Sequence, residues 1–185
     1  LDWSQTEKRF LKEAEVNADK ALLYDSRLAP SLVAKAVFHI NNREYIQAVP
    51  FLEKALEYNP NSANVINLLS DFYANYLPDV DKYLEYALKG IQLDIGAHDS
   101  ADASYIYLHL SNALLQAGFI DESLRYIEKS LEYNPDNLYS EYVKPYILYA
   151  RDGDLNRTRD MLIETLSKGP DRYDIIQEVG NVCYY

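Results

Sequence analysis

Two stretches of this chain close on the same residues at the same spacing. They are Ala48-x6-Ala55-Leu56-Glu57-Tyr58-Asn59-Pro60 and Ser123-x6-Ser130-Leu131-Glu132-Tyr133-Asn134-Pro135. The shared Asn-Pro closes a helix, because the proline ring disfavours helical backbone in the residue before it. Thirty-four residues before the first lies Ala14-x6-Ala21-Leu22-Leu23-Tyr24-Asp25, and 35 residues after the second lies Thr165-Leu166-Ser167-Lys168-Gly169-Pro170. A weaker copy, Ala87-Leu88-Lys89-Gly90-Ile91-Gln92-Leu93-Asp94, stands between them. The spacing amounts to a repeat of about 34 residues, with slips in the loops.

Each copy is preceded by a second helical segment with apolar residues one turn apart. These are Leu32, Ala36 and His39, then Ile66, Leu69, Ser70 and Tyr73, then Tyr107, Leu110, Ser111 and Leu114 before Gly118, and last Ile176, Val179, Gly180 and Cys183. Small residues recur where two antiparallel helices must approach closely: Ala36, Ser70, Ser111 and Gly180 on first helices, Ala48, Ala55, Ser123 and Ser130 on second ones. Large residues fill the space around them. One pair cannot bury its apolar face alone, so successive pairs must stack.

This pattern of large-x2-Leu-small-x2-aromatic, then Ala-x3-large-x2-Ala and a closing Pro, resembles the tetratricopeptide repeat. The resemblance implies an all-α fold, a right-handed α-α superhelix of helix pairs. The units fall at about 4–27 (a lone opening helix with capping-box spacing at Ser4-Gln5-Thr6-Glu7), 29–61, 63–95, 104–136 and 138–171. A half unit follows at 173–185, so the sequence reads as one solenoid truncated at both ends. Residues 76–82 lengthen one inner turn, and 95–104 are expected to form an irregular loop between units. Pro145 falls inside a helix, where it should kink it or cost several kcal/mol.

Composition narrows the function. With 18 Lys and Arg against 29 Asp and Glu, the net charge is −11, which repels nucleic-acid phosphate and leaves no basic cluster to bind it. The single cysteine, Cys183, permits no intrachain disulfide. No apolar run is long enough to span a bilayer. The expected location is the cytoplasm, or the periplasm if the parent protein is membrane-anchored. His39, His98 and His109 show no zinc spacing, and His98 with Asp94, Asp99 and Asp102 lacks the order of a calcium loop. Asp152-Gly153-Asp154 is an inter-helix turn. With no phosphate loop and no nucleophile-base set, neither cofactor nor catalysis is expected.

The resemblance implies that first helices line a concave groove that receives a protein or peptide. Helical spacing then selects Asn64, Asn67, Asp71 and Asn75 in one unit, Tyr105, Leu108, Asn112 and Leu115 in the next, and Asp174, Gln177, Asn181 and Tyr184 in the last. Asparagine can donate and accept together, which suits a peptide backbone. No Lys or Arg accompanies these asparagines, so capture of an acidic C-terminal tail is not expected.

A tyrosine stripe, Tyr139, Tyr142, Tyr146 and Tyr149, lies on one face of the fifth unit. Counted forward from Pro135 it faces the groove, as a platform for a proline-rich or apolar peptide. Counted back from Gly153 it packs inside, and Ser140, Val143, Ile147 and Ala150 face the groove; this second count fits the turn better. Asp2-Trp3 and the run Lys20–Ala36 are also similar to repeat regions attached to bacterial helix-turn-helix regulators and nucleotide cyclases, which implies a sensory or dimerising role as the alternative. The last helix could also support self-association through Tyr184 and Tyr185.

Overall fold

The computed structural model describes residues 5–93, 95–97 and 99–169, with 171, 173, 176, 177 and 180 beyond them. Ser4, Asp94, His98, Asp174, Asn181, Cys183, Tyr184 and Tyr185 lie outside the described residues. Among the described residues the regular structure is helical throughout: α1 Gln5–Tyr24, α2 Ala29–Asn41, α3 Tyr45–Tyr58, α4 Ala63–Asn75, α5 Val80–Gly90, α6 Ser100–Gln116, α7 Ile120–Tyr133, α8 Leu138–Asp152 and α9 Leu155–Lys168. None of these helices is long and apolar enough to cross a membrane.

The chain divides into two compact units, residues 1–86 and 87–185. In the first, α1 packs on α2, α2 on α3 and α3 on α4. Ala36, Ala48 and Ala55 are completely buried, so the helices approach at alanines. Leu52, Leu69 and Phe72 fill the core beside them, each contributing about 1.5–3 kcal/mol of burial. An aromatic chain continues from Tyr45 through Phe72 to Tyr73, which stacks on Tyr86 with ring centroids 5.7 Å apart. Tyr86 donates its hydroxyl proton to Glu53 Oε1 at 3.3 Å. Burial, with the Glu53 charge beside it, raises the Tyr86 phenol well above its ordinary value.

In the second unit α6 packs on α7, α7 on α8 and α8 on α9, while α6 also touches α8. Here the small slots are hydroxyl residues. Ser111 Oγ donates to the Ser123 carbonyl, and Ser123 Oγ returns a bond to the Ser111 carbonyl, both at 2.7 Å. Ser130 Oγ donates to the Ser104 carbonyl at 2.7 Å and lies 2.6 Å from Ser140 Oγ, which joins α6, α7 and α8. Hydroxyls let the backbones come as close as alanine does, provided that each is hydrogen-bonded.

Start signals are explicit. Pro30 sits in the first turn of α2, where its missing N–H is not needed. Side chains of Ser62, Asp99, Asn137 and Asp154 cap α4, α6, α8 and α9. The cap at Asp99 corrects one expectation. The irregular stretch is short, a single 3-10 turn at Ile95–Ala97, and α6 begins at Ser100 within the region expected to be loop. Once Asp99 accepts from Asp102 N at 2.8 Å, the following Ala101, Asp102 and Ala103 have no reason to leave the helix. Pro145 lies inside a helix as expected, and α8 runs from Leu138 to Asp152 with Pro145 buried within it.

Candidate functional site

In the first unit, α4 carries Asn64, Asn67, Asp71 and Asn75. Asn64 and Asn75 are exposed, and Asn67 and Asp71 are half-buried. Asn75 Nδ2 donates to Asp71 Oδ1 at 2.7 Å and to the Asp71 carbonyl at 3.2 Å. Burial raises the Asp71 carboxyl above the usual carboxylate range, against the opposing pull of that Asn75 bond. Asn67 Oδ1 is buried with no hydrogen-bond partner among the described residues. Asn75 is therefore engaged with its own helix, while Asn67 keeps an unfilled acceptor.

In the second unit, α6 presents Tyr105 and Asn112 as half-buried side chains. Leu108 requires a correction. It is only 7% exposed and packs with Ile127 and Ile147 in a cluster edged by Tyr105, Leu115 and Val143. The first helices of consecutive pairs come close enough here for a branched side chain to be covered, so Leu108 belongs to the core. His109 is buried too, which pushes its imidazole down to about 4 and leaves it neutral. His39, half-buried, stacks on Phe51 with centroids 5.4 Å apart and pairs with Glu44.

Helix α8 decides the tyrosine stripe. Ser140 and Ile147 are completely buried against the preceding pair, whereas Tyr139 and Tyr149 are 40% and 43% exposed and Tyr142 and Tyr146 half-buried. The count back from Gly153, which sends Ser140 and Ile147 outward, is overturned. The reason is one extra residue before the turn: Thr158 Oγ1 reaches the Pro145 carbonyl across 13 positions, where Ser111 and Ser123 pair across 12. A one-residue slip rotates a helix face by about 100°. Pro145 therefore occupies the small-residue slot, and the tyrosines fall outside the packed interface.

Two ring pairs involve these tyrosines, one of them reaching α6. Tyr105 and Tyr139 stand 6.3 Å apart with ring planes 54° from each other, and Tyr142 and Tyr146 stand 5.4 Å apart at 67°. The charged side chains of α8 are all in ion pairs: Glu141 with Lys168, Lys144 with Glu128, and Arg151 and Asp152 with each other, Asp152 also with Arg157. Gln177 is exposed. Among the described residues no three His, Cys, Asp or Glu side chains gather as a metal site. The serine network was hidden from sequence reasoning, although its members were visible as small residues; the signal was that Ser replaces Ala at both partners of one helix crossing.

The tetratricopeptide repeat family matches residues 29–62 and 104–137. No curated protein matches the sequence. Among solved structures, YrrB, described as a tetratricopeptide-repeat protein with an unusual peptide-binding site, is 20% identical with a TM-score of 0.66, over 92% of this chain and 84% of that one. The pilF protein of Pseudomonas aeruginosa is 20% identical with a TM-score of 0.75, over 96% and 81%. PilW, a type IV pilus biogenesis factor, is 16% identical with a TM-score of 0.73, over 97% and 82%. Identities this low establish likeness of fold.

Proposed function

We propose that the chain is a protein-interaction scaffold of tetratricopeptide type, and that it takes an extended peptide on the surface that α6 and α8 share in the second unit. The observation that carries this is the exclusion of the α8 tyrosines from the packed interface. Aromatic rings are costly to leave half in water, and here Tyr105, Tyr139, Tyr142, Tyr146 and Tyr149 line one side of two neighbouring helices. Tyrosine offers a large, stiff contact area with a polar tip, which is the chemistry of recognition surfaces. Asn112 on α6 adds a side chain able to donate and accept to a peptide backbone. The peptide-binding site described for YrrB gives a precedent on the same fold.

Selection of a displayed random-peptide library on the full chain tests this. Enriched peptides should bind Tyr139→Ala/Tyr142→Ala about tenfold more weakly, with unchanged far-ultraviolet circular dichroism. If every enriched peptide binds wild type and variant alike, the surface is not the binding site. Asn67→Ala in parallel reports whether α4 of the first unit takes part.

A further inference from the structure

We propose that α4 of the first unit takes the arginine side chain of a basic partner segment, with Asp71 as its counter-ion and Asn67 as a second acceptor. The site belongs to a different unit from the α6 and α8 surface, and neither reading rests on the other. Two features of α4 select this ligand.

The first is an uncompensated charge. Asp71 is half-buried, and removing a carboxylate from water is costly unless a positive group stands beside it. Elsewhere the chain supplies that group: Glu141 pairs with Lys168, and Asp19 with Lys35. At Asp71 it supplies the neutral Asn75 amide, on Oδ1, and no Lys or Arg among the described residues acts on the carboxyl. Helix α4 itself carries neither Lys nor Arg. Burial accordingly holds this carboxyl above its ordinary range. A cation brought by a partner offsets that cost, and the net charge of −11 favours the approach of basic segments.

The second is an acceptor with nothing to accept. Asn67 stands four residues before Asp71, about 6 Å along the helix, and its Oδ1 is buried without a donor. Reorienting the amide toward a ligand breaks no bond to this oxygen, because it makes none. A guanidinium is planar, stays charged when partly desolvated and carries five N–H donors in a fork. One N–H can donate to Asp71 Oδ2, which Asn75 leaves free, while another reaches Asn67 Oδ1. A lysine ammonium is a more strongly hydrated point charge and gives up more on leaving water. Asn64, exposed a turn further back on the same stripe, can donate to or accept from the peptide backbone.

The test follows the side-chain amide resonances of Asn67 and Asn75 while the full chain is titrated with a capped Gly-Ser nonapeptide carrying one central arginine. Both should shift saturably. The same peptide with citrulline, which keeps the shape of arginine without its charge, should leave them unmoved. The lysine peptide should bind more weakly than the arginine one. Asp71→Asn should weaken the arginine peptide about tenfold, through the loss of a charge-assisted hydrogen bond, with unchanged far-ultraviolet circular dichroism. Asn67→Ala should weaken it about threefold. Glu57→Gln, which removes an exposed charge from α3, should weaken it less than about twofold. Arginine peptide that moves neither amide, or that binds Asp71→Asn as well as wild type, overturns the proposal. An equal loss in Asp71→Asn and Glu57→Gln also overturns it, because net charge alone would then explain the binding. Citrulline or lysine peptides that bind as tightly as arginine overturn it too. Tyr139→Ala/Tyr142→Ala should bind the arginine peptide as wild type does. Loss of binding in that variant would assign the peptide to the α6 and α8 surface, so that this site fell while that reading stood.

Discussion

Asn137 Nδ2 donates to Ser104 Oγ at 2.8 Å across 33 residues of chain, while Asn137 Oδ1 accepts from the backbone N–H of Tyr139 and of Ser140. One amide therefore caps α8 and ties it to α6. Its position explains why Ser104, Ser130 and Ser140 can all be completely buried. The Ser130 proton goes to the Ser104 carbonyl, and the Ser104 and Ser140 hydroxyls are left to donate to Ser130 Oγ. Every member of the network has a partner, which is the condition under which buried polar groups stabilise.

Asn137→Ala should accordingly be among the most damaging single changes in the second unit. It removes a helix cap, about 1 kcal/mol, and strips a buried hydroxyl of its donor, about a further 1–2 kcal/mol. Urea denaturation should show a loss of about 2–3 kcal/mol. Asn137→Asp, which keeps the capping oxygen but cannot donate to Ser104, should fall short of wild type as well. An Asn137→Ala protein as stable as wild type would mean that the network adds nothing to the packing.

His109 gives the chain a pH dependence that can be isolated. Its imidazole titrates near 6.5 in the unfolded chain, and burial pushes it to about 4 in the folded one. Between those values the unfolded state binds the extra proton, so stability rises with pH across that window. Above pH 6.5 the residue imposes nothing. As pH falls toward 4 it should withdraw about 1.4 kcal/mol per pH unit. The difference in unfolding free energy between wild type and His109→Gln, measured at several pH values, subtracts the carboxylates common to both. A difference that does not vary between pH 4.5 and 6.5 would show that His109 titrates alike in both states.

How much of this was legible beforehand divides by the range of the interaction. Helix ends set by Pro60 and Pro135, and close crossings marked by Ala36, Ala48 and Ala55, are local or strictly periodic, and they show in the sequence as residue types at fixed spacing. The face that α8 presents was not legible in the same way. It depends on whether the helix is counted forward from Pro135 or back from its turn at Gly153, and the two disagree by one residue. Only the pairing of Pro145 with Thr158 decides between them, and nothing in the residue types advertises it. Leu108 fails for a related reason: its spacing matches that of Tyr105 and Asn112, but the closeness of α8 covers it.

Arg43 offers a test of the turn itself. Gly118 and Gly153 have φ of 86° and 72°, and Arg43, between α2 and α3, has φ of 62°. A side chain in the left-handed region costs about 1 kcal/mol relative to glycine, partly offset by the greater freedom glycine has when unfolded. Arg43→Gly should therefore raise stability by a few tenths to about 1 kcal/mol. Thermal unfolding is the measurement, and a lower midpoint for Arg43→Gly would show that Arg43 makes compensating contacts through its side chain.

Pro145 sets two terms of opposite sign against each other. A proline in a helix interior removes a backbone hydrogen bond and crowds the carbonyl four residues back, at about 3 kcal/mol. Yet Pro145 is buried at the crossing with α9, where its carbonyl accepts from Thr158 Oγ1 at 3.5 Å. Alanine at this position keeps the carbonyl, restores the N–H to the helix and still fits a slot that Ala36 fills in the first unit. It forfeits the contacts of two ring carbons, about 0.8 kcal/mol each. The helix term is the larger, so Pro145→Ala should stabilise the protein by about 1 kcal/mol. Pro145→Leu should destabilise it, because a longer side chain forces α8 and α9 apart. Paired denaturation curves decide the matter. If alanine proves less stable than proline, the rigid ring contributes more at this crossing than the missing hydrogen bond removes.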